Sequence, residues 1–227
     1  NIVIVKKPGK EPRVCIDPRP INKVTQPDPY PMPRMDEIFG SLQGSAVFSL
    51  LDAASGFFQV PIIEEHSHLA AFRCETGVFE FCCMPFGLTN APATFTRWMQ
   101  MTFQGLDSFL KIYMDDLLIH SSKIEEHPAQ LKKIFERCRE QQVKLRLTKC
   151  HLLQTELKLL GHIITLEGVK KDLDKVEAIR SWGEGRPKNR FSPFKNLTQL
   201  QSFMGLVNYY KHYHKFIAHE LVVLNEL

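Results

Sequence analysis

No stretch of this sequence approaches the roughly 18 consecutive apolar residues that a membrane-spanning helix requires, so none of its helices is expected to cross a bilayer. The opening Asn1-Ile-Val-Ile-Val-Lys-Lys7 is too short and too quickly charged for a secretory signal. Among the six cysteines, at 15, 74, 82, 83, 138 and 150, no C-x-x-C pair occurs. The nine histidines form no cluster at zinc-ligand spacing, since Cys150-His151 and His212-x-His214 each lack a partner pair. A metal-stapled or disulfide-stapled scaffold is therefore not expected, and reduced intracellular thiols are. Internal repeats and long low-complexity tracts are also absent.

What is present is an ordinary globular composition. The 227 residues are 44% hydrophobic, enough to bury a substantial core in one large domain or two to three small subdomains. A net charge of +4 hides an asymmetry: residues 1 to 143 hold 15 Lys and Arg against 17 Asp and Glu, and residues 144 to 227 hold 14 against 8. A basic C-terminal third suits a polyanion-binding face, although a merely solvated surface would carry the same charge.

Residues 2 to 17 read as two β-rich runs joined by a Pro8-Gly9 turn. Four prolines among residues 26 to 33 force an extended connector, and a short helix over about 34 to 42 follows. Strands are expected near 46 to 51, 58 to 63, 68 to 73 and 78 to 83, with Glu75-Thr-Gly77 as a turn. Asn90-Ala-Pro92 starts a helix with Pro in its first turn, and Phe95, Trp98, Met99 and Thr102 fall on one stripe. A second amphipathic helix over about 124 to 141 has Glu125 and Glu126 in its first turn and Leu131, Ile134, Phe135 and Cys138 inward. A strand pair at 152 to 153 and 158 to 165 leads into a helical, basic region from Lys170, with Leu173, Val176, Ile179 and Trp182 on one stripe. Past a Gly, Pro and Arg-rich break at 183 to 195, Thr198-x-x-Gln201 reads as the capping box of a last helix, with Leu200, Phe203, Met204 and Val207 inward. This order suggests an α+β fold: a small antiparallel sheet of the split βαβ kind backed by two helices, with a subdomain boundary near 167 to 172.

Tyr113-Met-Asp-Asp116 lies between the apolar runs Leu110-Lys-Ile112 and Leu117-Leu-Ile119, where a hairpin turn would display adjacent carboxylates. Such a pair repels itself unless a cation lies between. An isolated Asp-Asp dipeptide is usually a polar hairpin tip, but a third aspartate, Asp52, follows another apolar run and precedes a Ser55-Gly56 break. One carboxylate at a strand end and two at a turn supply the oxygen ligands of a two-metal phosphoryl-transfer site, with room for phosphate oxygens.

Alongside these stand Asp17-Pro-Arg-Pro-Ile-Asn-Lys23, Tyr30-Pro-Met-Pro33, Met84-Pro-Phe-Gly-Leu-Thr-Asn-Ala-Pro-Ala-Thr-Phe95, Leu160-Gly-His162 and Phe203-Met-Gly-Leu-Val-Asn-Tyr-Tyr210. With them the chain resembles, over nearly all its length, the reverse transcriptases of Gypsy-type long-terminal-repeat retrotransposons. The resemblance implies a right-hand polymerase with fingers at 1–43 and 64–91, lacking their N-terminal part, a palm at 44–63 and 92–166, and from 167–227 a thumb and the start of the connection. It implies addition of dNTPs to a DNA or RNA primer on an RNA or DNA template with two Mg²⁺ ions, for which Mn²⁺ can substitute. Asp52, Asp115 and Asp116 would be the catalytic metal ligands, with the Ala53 carbonyl a further donor.

On the same resemblance Lys7 and Arg13 match triphosphate contacts, with Lys6 an alternative to Lys7. Lys149 matches a lysine able to protonate departing pyrophosphate, with Lys144 and Arg146 close by. Phe57 would lie beneath the sugar and exclude a 2′-hydroxyl; the alternative is a core Phe57 with Phe58 as the gate, because strand alternation would send the two to opposite faces. Phe86 matches a position that packs on the incoming nucleotide and template, where retroviral members usually carry Gln. Leu160, Gly161 and His162 match the primer grip, and Lys195, Lys211 and Lys215 would track the duplex. Asn208-Tyr-Tyr210 reads as helix packing. The sequence departs from the family pattern around 183 to 197, where Gly183 replaces a usual Pro.

The first residue is not Met, so the chain is expected to be a piece of a longer Pol polyprotein with protease, ribonuclease H and integrase segments elsewhere. Its implied location is the cytoplasm, in a virus-like particle, or the nucleus. An inactive retroelement remnant that only binds nucleic acid is the competing reading. A viral RNA-directed RNA polymerase is disfavoured by Phe57 and by Tyr-Met-Asp-Asp where Gly-Asp-Asp is usual.

Overall fold

The computed structural model describes residues 2–5, 13–180, 196–210 and 213. The chain falls into two compact units, Asn1–Leu157 and Lys158–Leu227. The first opens with the antiparallel pair β1 (Ile2–Val5) and β2 (Arg13–Ile16), as the two β-rich runs predict; the Pro8-Gly9 turn lies outside the described residues. A one-turn helix α1 (Arg19–Asn22) follows, and the proline-rich stretch then runs extended to α2 (Met35–Ser41). Side chains tie this connector down. Asn90 accepts the Asp28 N–H at 3.0 Å and donates to the Gln26 carbonyl at 2.8 Å, while Arg97 pairs with Asp28 at 2.6 Å.

The apolar run before Asp52 becomes β3 (Val47–Asp52), buried at all six positions. The hairpin β4 (Phe72–Cys74) and β5 (Gly77–Phe79) turns at Glu75-Thr76. Then come α3 (Ala91–Thr102), β6 (Leu110–Tyr113), β7 (Asp116–Ser121), α4 (His127–Glu140) and β8 (His151–Gln154). Strands in the order β6-β7-β3-β8 form an antiparallel sheet. Phe95 and Met99 of α3 and Leu131, Ile134 and Cys138 of α4 join Leu51, Leu117 and Ile119 of the sheet in one core, so the expected sheet backed by two helices is found.

Two buried histidines of this unit are held by serines. His127 is fully buried, its Nε2 2.7 Å from Ser49 Oγ and its Nδ1 bonded to Ser121. His120 Nδ1 lies 2.9 Å from Ser45 Oγ.

Several expectations are corrected. Residues 58 to 63 are not a strand: Gly56–Gln59 form a 3₁₀ turn entered through Ser55 at φ +54°, and one isolated bridge, Pro61 to Cys83, remains. The tight turn needs Gly56, where a Cβ would meet the Phe95 ring at 3.0 Å. A second 3₁₀ segment, Glu64–Ala70, shortens the strand expected from residue 68, and β5 ends at Phe79 rather than 83. Helix α4 begins at His127, with Pro128 in its first turn, so Glu125 and Glu126 precede it. Phe135 is 38% exposed, because the buried stripe of α4 runs through Leu131, Ile134 and Cys138, and the next residue lies about 100° around the helix.

The second unit begins within β9 (Glu156–Leu159) and goes on through β10 (His162–Thr165), β11 (Gly168–Lys171), α5 (Leu173–Arg180) and α6 (Leu197–Tyr209). The strands pair in the order β11-β10-β9. The run 158 to 165 is thus two strands rather than one, because Leu160 and Gly161 both take positive φ, +48° and +73°, as a two-residue hairpin turn of type I′ requires. Lys170 and Lys171 stay in β11, and Leu173, expected on one stripe with Val176 and Ile179, is 73% exposed. Trp182 and the break at 183 to 195 lie outside the described residues. Helix α6 is capped by Asn196, which accepts the Gln199 N–H at 3.0 Å, so the cap sits two residues before the expected Thr198. Its inward stripe holds: Met204 and Val207 are buried, with Leu200 and Phe203 packed on them.

Phe95 is fully buried at the centre of the first core. Phe95→Ala should lower unfolding stability by about 3–5 kcal/mol, as removal of a core aromatic does, measured by urea denaturation.

Candidate active site

Asp52 ends β3 and Asp116 opens β7, directly opposite one another in antiparallel register. Tyr113 pairs with Asp116 across β6 and β7, leaving Met114 and Asp115 as a two-residue turn. Met114 takes φ +54°, which costs a residue bearing a Cβ about 1–2 kcal/mol. The Ala53 N–H donates to the Asp115 carbonyl at 2.8 Å and fastens the turn to the chain leaving β3. The structure therefore brings together all three expected aspartates.

Their environments differ. Asp52 is buried, Asp115 exposed and Asp116 half-buried. The Asp116 carboxyl is pushed up to about 6, first by burial, then by the charges of Asp115 and Asp52, with Lys149 opposing. Lys149 Nζ stands 2.7 Å from Asp52 Oδ2, a cation against the acidic group. Among the described residues no three His, Cys, Asp or Glu side chains close into a ready-made metal cage. Hard carboxylate oxygens, one of them pushed up to about 6 by burial and by its acidic neighbours, nevertheless fit a divalent cation. Mg²⁺ in particular takes one or two carboxylates and completes its shell with water and substrate phosphates.

A cavity of about 580 Å³ opens beside them. Its charged wall is Asp52, Asp115, Arg146 and Lys149, and its other wall is aromatic, including Phe57, Phe58 and Phe86. The Phe57 ring lies 5.1 Å from Phe86 and 5.5 Å from Phe95, and Phe58 lies 5.2 Å from Phe86. Both Phe57 and Phe58 face the cavity, contrary to the strand-alternation expectation, because a 3₁₀ turn rotates by about 120° per residue rather than 180°.

Gln59 escaped the sequence reading. Its amide donates to the Ala54 carbonyl at 2.7 Å and the Lys144 carbonyl at 2.9 Å, and its Oε1 accepts the Lys144 N–H at 2.8 Å. It clips the segment carrying Arg146 and Lys149 to the segment following Asp52. The only sequence signal is a lone amide inside the apolar run Phe57 to Val60.

Other expected residues lie elsewhere. Arg13 is in β2, with its side chain outside the described set; Lys6, Lys7, Lys195, Lys211 and Lys215 also lie outside it. Leu160, Gly161 and His162 belong to the second unit, where Tyr209 donates to the Leu160 carbonyl and Tyr210 to the Gly161 carbonyl at 2.6 Å. His162 is buried, with Nδ1 2.8 Å from the Tyr213 hydroxyl. The tyrosines of Asn208-Tyr-Tyr210 thus pack on the turn, as the sequence suggests.

Two predictions follow from this geometry. Between pH 3.8 and about 6 the unfolded chain has lost the Asp116 proton that the folded chain keeps, so Asp116 removes stability as pH rises. His120 does the opposite: burial, then Lys111 and His127, push it down to about 4 from 6.5, so stability rises with pH through that window. Asp116→Asn should uncover the histidine contribution as a steeper rise in thermal midpoint from pH 4 to 6.5, and exceed the parent at pH 7 in chelator. A variant profile parallel to the parent would contradict the raised Asp116 value. Separately, Gln59→Leu should lower the activity of this site by about 10-fold or more while shifting stability by only about 1–3 kcal/mol, the cost of unpaired backbone groups; steady-state kinetics and urea unfolding measure the two.

Residues 5–164 match the model of the family described as reverse transcriptase (RNA-dependent DNA polymerase), a family that uses divalent metal ions. The chain is 38% identical over 214 residues to the retrovirus-related Pol polyprotein from transposon 297 of Drosophila melanogaster, covering 92% of this chain and 19% of that protein. It is 31% identical over 209 residues to the transposon Tf2-3 polyprotein of Schizosaccharomyces pombe, covering 92% and 15%. The chain thus spans less than a fifth of the length of either relative. Among solved structures it is similar to a foamy viral protease-reverse transcriptase in complex with double-stranded DNA, with TM-score 0.87, 25% identity, and coverage of 100% of this chain and 38% of that one. A foamy viral protease-reverse transcriptase with an RNA/DNA hybrid gives TM-score 0.77 and 26% identity, covering 92% and 27%. The α+β chain has the right-hand polymerase fold.

Proposed function

The chain belongs to the reverse transcriptase (RNA-dependent DNA polymerase) family, and from that we propose that it is the polymerase core of a Gypsy-type retrotransposon Pol polyprotein, adding dNTPs to a primer on an RNA or DNA template. The observation that carries this reading is the direct Asp52–Asp116 pairing, with Asp115 on the adjoining turn, beside a cavity of nucleotide size.

Asp52, Asp115 and Asp116 would hold two Mg²⁺ ions, or Mn²⁺ in their place. When bound, these would supply acidification of the primer 3′-hydroxyl and neutralisation of the attacking and leaving oxygens. The side chains divide the remaining work. Phe57 closes the cavity under the sugar and excludes a 2′-hydroxyl, and Phe86 packs on the incoming nucleotide. Lys149, beside Asp52, gives a proton to departing pyrophosphate. Lys7 and Arg13 contact triphosphate oxygens, and Leu160, Gly161 and His162 grip the primer. Fingers occupy 1–43 and 64–91, palm 44–63 and 92–166, and thumb 167–227. The relatives' names support a Pol polyprotein, in which protease, ribonuclease H and integrase are the further segments we propose, and the neighbours bound to duplexes support a nucleic-acid partner. Among the described residues no helix is long and apolar enough to cross a membrane, and the proposed setting is a cytoplasmic particle or the nucleus.

Primer extension on an RNA template with dNTPs and Mg²⁺ tests the reading. The parent should make DNA, Asp115→Asn should lose about 100-fold or more, several kcal/mol of charge stabilisation, and Phe57→Ala should admit rNTPs. No synthesis by the parent, with salt-sensitive duplex binding retained, would retire the reading in favour of an inactive binding module.

A further inference from the structure

Of the charged side chains lining the cavity, Asp52 and Lys149 pair at 2.7 Å and Asp115 belongs to the acidic group. Arg146 differs. It is half-buried on the cavity wall, and among the described residues its guanidinium has no ion pair and no hydrogen-bond partner. A half-buried guanidinium has given up water, and unlike an amine it cannot shed its proton to escape the cost. Such a group calls for an anion.

Its position is also fixed with respect to the acidic group. The Arg146 N–H donates to the Asp52 carbonyl at 2.8 Å, Leu145 bridges to Ala53, and Gln59 clamps Lys144 on both its backbone groups. The backbone of Arg146 is therefore hydrogen-bonded to the residue bearing the most buried carboxylate of the site. Lys149 offers a weaker alternative, because it is more exposed and engaged with Asp52.

We propose that Arg146 binds the triphosphate tail of the incoming nucleotide, its planar fork taking two phosphate oxygens. This rests on the polymerase reading above and names a phosphate-binding residue within the same cavity. The aromatic wall offers a polyphosphate no donor, so the tail is drawn to the charged side.

The test varies dNTP concentration in primer extension by the parent, Arg146→Gln and Arg146→Lys, with inorganic triphosphate as a competitor. Arg146→Gln should raise KM for dNTP and Ki for inorganic triphosphate about 10- to 100-fold, the loss of one charge-assisted contact, with kcat within about threefold of the parent. Arg146→Lys should fall between, since it keeps charge and loses the fork. Thermal midpoints and primer-template binding check that each variant folds. Unchanged KM and Ki, or a lowered kcat at unchanged KM, overturns the assignment; if Arg146→Gln fails to fold, unchanged constants in Arg146→Lys overturn it. A parent that extends no primer removes the polymerase reading instead. Calorimetry with inorganic triphosphate then still decides Arg146: binding by the parent and not by Arg146→Gln supports it, and equal or absent binding overturns it.

Discussion

The register of β3 against β7 sets Asp52 opposite Asp116, and the next pairing along, β6 against β7, turns the chain at Asp115. Backbone hydrogen bonds, indifferent to side-chain charge, thus hold three carboxylates together at the edge of a buried sheet. Their repulsion cannot relax by strand movement, because Leu51, Leu117 and Ile119 on the same strands are locked in the core with Phe95 and Ile134. It must be answered by cations or by protons. Lys149 answers part of it at Asp52, and the proton retained on Asp116 up to about pH 6 answers another part. Unneutralised carboxylates beside an open cavity fit divalent cations.

The rest of the site follows from where the chain must go after Asp52. Ser55 at positive φ and Gly56 under the Phe95 ring turn it tightly, and the resulting 3₁₀ step presents Phe57 and Phe58 to the same cavity. Gln59 then reaches back to Lys144, so the aromatic and charged walls are built as one piece. The Ser49–His127–Ser121 network satisfies polar groups that burial would otherwise make costly. The strain at Met114 and Ser55 is local to this assembly and is borne by the core behind it.

Much of this was legible in the residues. The hairpin carrying Tyr113-Met-Asp-Asp116, the strand before Asp52 and the helix at Ala91–Thr102 follow from apolar runs and from a proline at a helix start, signals that depend on neighbours along the chain. The misses have a common cause. Residues 58 to 63 look like a strand until the Phe95 ring, contributed from another helix, fills the space over Gly56. Asn196 caps α6 ahead of Thr198 because the choice between two good caps is settled by where the chain enters the helix. Gln59 and Arg146 carry no motif; their roles exist only once β3 and the 144 to 146 segment lie side by side.

The central claim is that the three aspartates form one electrostatic unit completed by divalent metal. Carboxylate-detected NMR titration of Asp116, without and with Mg²⁺, tests it most directly. The account predicts titration near pH 6 in chelator, moving well below the ordinary carboxylate value when Mg²⁺ is added, because a bound cation favours the ionised form. Titration near 4 in chelator, or a midpoint that Mg²⁺ leaves in place, would contradict it.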